Sequence, residues 1–388
     1  MSDVYLDHAA TTPVDPVVLQ AMIPYFTEKF GNPSSIYHIG QDGRAAIETA
    51  RLQVARALGS QPAEVLFTSG ATESNNLAIT GVLAAAQISL PSAKRPHIIT
   101  TSVEHHAVLH PIEAMQGTDI SIVPVDGVGQ VDPDAIRLAI RPETILISVM
   151  LANNEVGTIQ PVREISDIAR EHGILLHSDA VQAAGHLSVD VDYLGVDLLS
   201  LSAHKFYGPK GVGILYLRKG TAITFQQLGG GQEGGRRGGT ENVPSIVGLG
   251  RALEIAVRDR AVRHSESQNL CNVLWEQIQE RIDRVTLNGP PIESRHRLPN
   301  NLNFRVAEVQ GETVLLGLDM LGVAASAGSA CTTGNTQPSH VLTSMGLSVE
   351  EARSSVRFST GRTNKISDID DAVDALDETV SRIRQFAN

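Results

Sequence analysis

The chain has 388 residues, a net charge of −12 and 42% hydrophobic residues. That length and apolar content suit a large folded core in two or three domains, while the acidic balance argues against a general nucleic-acid or membrane-surface role, since meeting phosphates needs a basic face. Two cysteines, Cys271 and Cys331, are too few for a disulfide framework or a cysteine-built zinc site. The opening MSDVYLDHAATTPV lacks the basic and apolar regions of a secretory signal, and no apolar run reaches spanning length. A cytoplasmic enzyme without a metal, binding neither nucleic acid nor membrane, is the expectation.

In chain order, apolar runs alternate with amphipathic stretches from about residue 60 to 220: EVLFT, HIITT, ISIVPV, TILISVML, GILLHS, VDLLSLS and GVGILYL. Near-continuous apolar strands separated by helical segments predict an α/β fold, a mostly parallel seven-stranded sheet covered on both faces. The stretch PVREISDIAREHG predicts a helix with Pro161 in its first turn, Ile165, Ile168 and Ala169 on one face, and Gly173 as its stop. The glycine-rich LGGGQEGGRRGGTEN formally contains GxGxxG but lies outside a strand-to-helix turn, and reads as a flexible loop near the site. A long helix is expected from Pro244 to about Ile282, then a smaller α+β pattern: RVTLNG, NNLNFRV, the helix GETVLLGLDML, the strand VAAS, the Cys331 loop, SVRFSTG and a terminal helix from about Ser367, its N-cap, to Gln385. The expected division is a large domain over 15–258 and a smaller one built from 1–14 with 259–388.

Ligands of open α/β sheets gather at the carboxyl ends of the strands. That rule selects Gly70, Ala71 and Thr72 after VLFTS, His105 after IITTSVE, Asn153 and Asn154 after ISVMLA, Asp179 after ILLHS, and Ser202, His204 and Lys205 after DLLSL. A lysine at this edge is either a solvated charge or an amine for a Schiff base with a carbonyl cofactor. Pyridoxal 5'-phosphate would need such a lysine, a carboxylate opposite the ring nitrogen, and a phosphate cradle.

Each of those needs has a candidate. Asp179 serves as the ring-nitrogen partner or as an N-cap of a short helix AVQAA. The amides of Ala71 and Thr72 open an apolar helical run, and a helix N-terminus binds phosphate, with Ser202, His204 and Thr240 as further donors. His105 suits ring stacking and proton transfer, Arg357 a carboxylate clamp or a structural salt bridge, and Asn154 a second carboxylate or ring contact. His106 and His110 share a helix face but lack a third metal ligand at recognisable spacing.

Cys271 lies in the apolar LCNVLW and reads as a core thiol, whereas Cys331 lies in ASAGSACTTGNTQPSH, among the small residues of an exposed, mobile loop. Exposed free thiols are usually avoided or used.

The stretches YLDHAATTP, GNPSS, FTSGATESNN, EHHAVL, NNEVGT, HSDAVQAAG, SAHKFYGPKG, RRGGTEN, SAGSACTTG and SVRFSTGR, in that order and across nearly the whole chain, resemble the cysteine desulfurases. These are pyridoxal-phosphate enzymes of the aminotransferase class V group with the type I transferase fold. The Cys331 loop is similar to that of the nitrogen-fixation and general iron–sulfur-assembly branch. The resemblance implies that Lys205 forms the Schiff base, Asp179 meets the pyridine nitrogen, Gln182 contacts the ring hydroxyl and His105 stacks on the ring. It also implies that Thr72, Ser202 and His204 hold the phosphate and that Thr240 reaches the phosphate of the neighbouring subunit in a homodimer. Arg357 and Asn154 would then bind L-cysteine, and Cys331 would be the nucleophile that takes its sulfur as a persulfide for an iron–sulfur scaffold or other acceptor. An aminotransferase, selenocysteine lyase or cystine lyase of the same fold is the near alternative, which Cys331 disfavours, and an inactive scaffold is the distant one.

Overall fold

The computed structural model describes residues 4–89, 95–327 and 337–387. The chain enters through β1 (Val4–Tyr5) and then lays down β2 (Val65–Thr68), β3 (His97–Thr101), β4 (Asp119–Val123), β5 (Thr144–Ser148), β6 (Leu175–Asp179), β7 (Leu198–Ser202) and β8 (Gly213–Leu217). The seven strands from β2 to β8 form one sheet in the order β2-β8-β7-β6-β5-β3-β4, in which only β8 runs antiparallel to its neighbours. These are the seven apolar runs of the sequence.

Their side chains explain why the runs are continuous rather than alternating. Phe67, Ile99, Ile147, Leu199 and Ile214 enter one core, and their immediate neighbours Leu66, Ile98, Leu146, Leu198 and Leu215 enter another on the opposite face. A strand covered on both faces must be apolar at every position. The helix Ala71–Ser89 backs one face, while the helices His38–Leu58, Val162–His172 and Val243–Arg258 supply the other.

A second core collects Val4 and Leu6 with residues from Leu270 to Val380. It lies on β9 (Val285–Leu287), β10 (Asn301–Val306) and β12 (Ser355–Ser359), antiparallel in the order β12-β10-β9, while β11 (Val323–Ala324) pairs with β1 in parallel. The helices Arg260–Arg281, Gly311–Met320 and Ile366–Ala387 cover it. Cys271 sits fully buried there, its Sγ 3.7 Å from Thr360 Oγ1, and burial pushes the thiol up to about 11, as suits an inert core cysteine.

Several local expectations are corrected. Pro161 is the N-cap of the helix Val162–His172, one position before its first turn, and Gly173 ends it in the left-handed conformation at φ 66°. The long helix expected from Pro244 to Ile282 is two, Val243–Arg258 and Arg260–Arg281, broken at Asp259, where ψ rises to 6°. The last helix starts at Ile366, so Ser367 lies inside it; Asp368 instead reaches back to accept from the Lys365 amide at 3.0 Å.

The glycine-rich stretch, expected as a flexible loop, is tied down. It is pinned by Glu233, whose carboxylate accepts from both terminal nitrogens of Arg51 at 3.0 and 2.6 Å and from the Phe67 amide at 3.0 Å. Arg51 and Glu233 are both buried, and the Arg51 guanidinium also covers the Phe67 ring. The stretch stays near the site as expected: Arg237 donates to the Glu73 carboxylate at 3.0 and 3.2 Å, and Glu73 lines the second cavity described below. A buried pair broken on one side leaves an uncompensated charge. Glu233→Gln is therefore expected to lower the unfolding free energy by about 3–5 kcal/mol, measured by urea denaturation; a loss within experimental error would mean that the pair does not hold this stretch to β2.

Candidate active site

A cavity of about 240 Å³ opens at the carboxyl edge of the sheet. Lys205 lies three residues past β7, and its Nζ donates to the carbonyls of Ala9 at 2.5 Å and Ala10 at 2.8 Å. The segment after β1 thus faces the lysine from across the cavity. Gln182 lines the same wall and donates through Nε2 to Ala9 O at 3.0 Å.

Asp179 is the last residue of β6 and is 7% exposed. Its Oδ2 accepts from Asn75 Nδ2 at 2.6 Å and its Oδ1 from the Val181 amide at 3.0 Å. The second bond is the local cap read from the sequence, but residues 181–183 form turns rather than a helix. Asn75, fully buried one turn inside the helix Ala71–Ser89, fixes the carboxylate so that it faces the cavity. Its own Oδ1 has no hydrogen-bond partner.

His105 caps the helix His106–Glu113, with Nδ1 accepting from the Ala107 amide at 3.0 Å. That bond leaves the proton of the neutral ring on Nε2. Burial lowers the His105 pKa, opposed by the Asp179 charge and reinforced by Lys205. His106 stacks on His110 with ring centroids 4.5 Å apart and meets His340 at 4.6 Å. Among the described residues no group of histidines, cysteines and carboxylates is arranged to hold a metal ion.

Beside this cavity lies a second of about 380 Å³, lined by Gly70, Ala71, Thr72, Ser202, His204 and Lys210 among others. Ala71, Thr72 and His204 line both, so the spaces are neighbours. The N-terminus of the 19-residue helix Ala71–Ser89 faces it, with free amides and the positive end of the helix dipole. His204, whose Nδ1 is 3.1 Å from Thr11 Oγ1, is held down to about 4 by burial and by Lys205. It offers this space a neutral ring.

Arg357 lines the first cavity and is 1% exposed. Its Nη2 donates to Asp7 Oδ1 and its Nη1 to Asn154 O, both at 2.8 Å. The structural salt bridge read from the sequence is thus present, on a guanidinium that also borders the cavity. Asn154 lines the cavity too. Thr240 is exposed and outside both linings, and Cys331 lies outside the described residues.

Sequence reading missed Asn75, Asp7, Glu104 and Glu155, all polar residues inside motifs that it quoted. Glu104 and Glu155 are fully enclosed carboxyls, and burial raises the pKa of each. Glu155 lines the cavity and accepts from Ser339 Oγ at 2.5 Å. Glu104 Oε1 accepts from Thr101 Oγ1 at 2.7 Å and the Met150 amide at 3.0 Å, while Oε2 has no partner.

The donor set fits pyridoxal phosphate: a lysine amine, a fixed buried carboxylate, a histidine at the cavity wall, an unpaired Asn75 Oδ1, and a helix N-terminus with Thr72, Ser202 and His204 for the phosphate. The sheet, the lysine at its carboxyl edge and the anion cradle define a pyridoxal-phosphate-dependent enzyme of the transferase fold.

The chain belongs to the Aminotransferase class-V family, whose model matches residues 4–372. A protein named Cysteine desulfurase IscS from Dictyoglomus turgidum is 50% identical over 387 residues, covering 99% of this chain and 96% of its own length. One of the same name from Methanosarcina thermophila is 48% identical over 386 residues, covering 99% and 93%. Among solved structures, a NifS-like protein superposes with a TM-score of 0.90 at 38% identity, covering 98% of this chain and 100% of that one. SspA in complex with cysteine superposes with a TM-score of 0.80 at 38% identity, covering 92% and 98%.

The raised Glu104 pKa has a stability consequence. In the fold this carboxyl keeps its proton up to about pH 8, whereas a carboxyl in the unfolded chain loses it near 4.5, so native stability falls as pH rises between those values. Glu104→Gln removes that dependence. In urea titrations from pH 5 to 8, the parent is expected to lose stability relative to the variant by up to about 1.4 kcal/mol per pH unit; parallel pH profiles would contradict it.

Proposed function

We propose that this chain is a pyridoxal-phosphate-dependent cysteine desulfurase, which converts L-cysteine to L-alanine and keeps the sulfur as a persulfide on Cys331. The observation that carries the reading is the convergence of Lys205, Asp179, His105 and Arg357 on one cavity of about 240 Å³, in a chain 50% identical over 387 residues to a named cysteine desulfurase.

Lys205 would hold the cofactor, Asp179 and Gln182 would meet its ring, His105 would flank it, and Ala71, Thr72, Ser202 and His204 would take its phosphate. When bound, pyridoxal phosphate acts as an electron sink for the pair released as the substrate Cα–H bond breaks. Arg357 and Asn154 fix the L-cysteine carboxylate, which orients that bond. Lys205, once displaced, accepts the Cα proton, its amine held beside the carbonyls of Ala9 and Ala10. The Cys331 thiolate attacks the substrate sulfur, the carbon–sulfur bond breaks with its electrons staying on Cβ, Cβ takes up a proton, and Lys205 returns a proton to Cα to complete alanine. Sulfur passes to Cys331, and from there to an iron–sulfur scaffold or another transient acceptor.

A homodimer is part of the proposal. Val17, Phe26, Phe30, Ile36, Tyr37 and Ile39 are exposed apolar side chains within residues 17–39, a concentration that suits burial against a second copy. Thr240, exposed and away from this chain's own cavities, then serves the partner's phosphate. The proposed division into 15–258 and 1–14 with 259–388 is supported by the separate cores on either side of those boundaries. Among the described residues no helix is long and apolar enough to cross a membrane, and the proposed location is the cytoplasm.

The test is incubation of the holoenzyme with L-cysteine in the absence of reductant, followed by peptide mass spectrometry and alanine assay. One added sulfur on Cys331 with matching alanine is expected, and Cys331→Ser should abolish sulfur transfer. Alanine formed at an undiminished rate by Cys331→Ser would refute the role of this thiol.

A further inference from the structure

A third cavity, of about 270 Å³, lies on the far side of the Lys205 turn and belongs to none of the chemistry above. It is lined by residues of the helix Arg260–Arg281, by His186 and Tyr207, and by the segment from Gly361 to Ile366. Arg263 stands at its wall and is 6% exposed, yet its Nε and Nη2 have no hydrogen-bond partner. Its guanidinium lies over the Tyr207 ring, 5.3 Å from the centroid, with Arg362 over the same ring at 5.4 Å.

The charges here are uneven. Arg362 is paired with Asp15, but Arg263 makes no ion pair among the described residues. Asp259 and Asp15 favour its charge only from a distance, while burial and then the Arg362 charge push its pKa below the ordinary arginine range. Lys365 adds another positive group to the lining, against the one carboxylate of Glu266. His186 also lines the cavity with Nδ1 unpaired, and burial followed by the Arg263 charge holds its ring neutral. Leu270, Ile366 and the Tyr207 ring give the wall an apolar part, and Ser267, Asn269 and Asn364 add neutral polar groups.

A buried guanidinium with unpaired N–H groups is costly unless an acceptor meets it, and its fork matches two oxygens of a carboxylate or phosphate. The geometry points to a binding site for a small oxyanion, a carboxylate or phosphate group carried on a short apolar body, gripped by Arg263 with Lys365 beside it. The site is separate from the proposed cofactor cavity: the two share no lining residue. It backs onto Tyr207, which follows Lys205 by two residues and holds a left-handed φ of 69°. The Tyr207 hydroxyl accepts from the Arg362 amide at 2.7 Å, joining the cavity wall to that turn.

Isothermal titration calorimetry of the holoenzyme, saturated with L-alanine to fill the substrate site, tests this with inorganic phosphate and with succinate as probes. At least one is expected to bind once per chain, phosphate alone marking a phosphate site and succinate a carboxylate site. Arg263→Met is expected to weaken that binding by at least about tenfold, and Arg263→Lys, which keeps charge but loses the fork, by less. Should Arg263→Met fail to fold, Lys365→Met decides, with a several-fold loss expected. No heat from either probe, or binding unchanged in the substituted proteins, would overturn the assignment.

Discussion

The ion pair between Arg357 and Asp7 joins the parts of the molecule that the active site requires. Arg357 belongs to β12 in the second core, Asp7 follows β1 at the start of the chain, and the second arm of the guanidinium reaches Asn154 O beyond β5 of the large sheet. The Arg357 side chain is 1% exposed and that of Asp7 15%. A pair so enclosed contributes little net stability, because desolvation offsets its attraction, but it tolerates the loss of neither partner. It therefore fixes geometry. The same segment that supplies Asp7 continues to Ala9 and Ala10, whose carbonyls hold Lys205 Nζ. Asp7 also accepts from Ser326 Oγ at 2.9 Å, on the chain leading towards Cys331.

Around that frame, burial sorts the carboxyls. Glu104 and Glu155 are both pushed towards their neutral forms by the loss of water, and each receives hydrogen bonds that only partly counter this. Asp179, by contrast, is met by Asn75 and by the Val181 amide. Burial thus presses Glu104 and Glu155 towards their neutral forms, while the two hydrogen bonds to Asp179 hold its carboxyl where the ring nitrogen of the proposed cofactor would meet it.

Much of this was legible in the sequence. Strands buried on both faces announce themselves as unbroken apolar runs, and of the residues just past them Ala71, Thr72, His105, Asn154, Asp179, His204 and Lys205 line one cavity, Gly70 and Ser202 the neighbouring one, and Asn153 neither. What failed to show depends on partners far apart in the chain. Nothing near Glu233 signals Arg51, 182 residues away, so a pinned segment read as a loose one. Nothing near Asn75 signals Asp179, 104 residues on. Glycine content reports local conformational freedom, whereas one buried carboxylate decides whether that freedom is used. Sequence alone does not divide Arg357 between clamp and salt bridge, because it cannot say that a single guanidinium faces both Asp7 and the cavity.

On the proposed function, the cavity at the carboxyl edge holds pyridoxal phosphate on Lys205. Reduction of the holoenzyme with borohydride, followed by peptide mapping of the modified lysine, tests it most directly. Label on Lys205 alone is expected, and label on another lysine, or none in protein that contains the cofactor, would place the cofactor elsewhere.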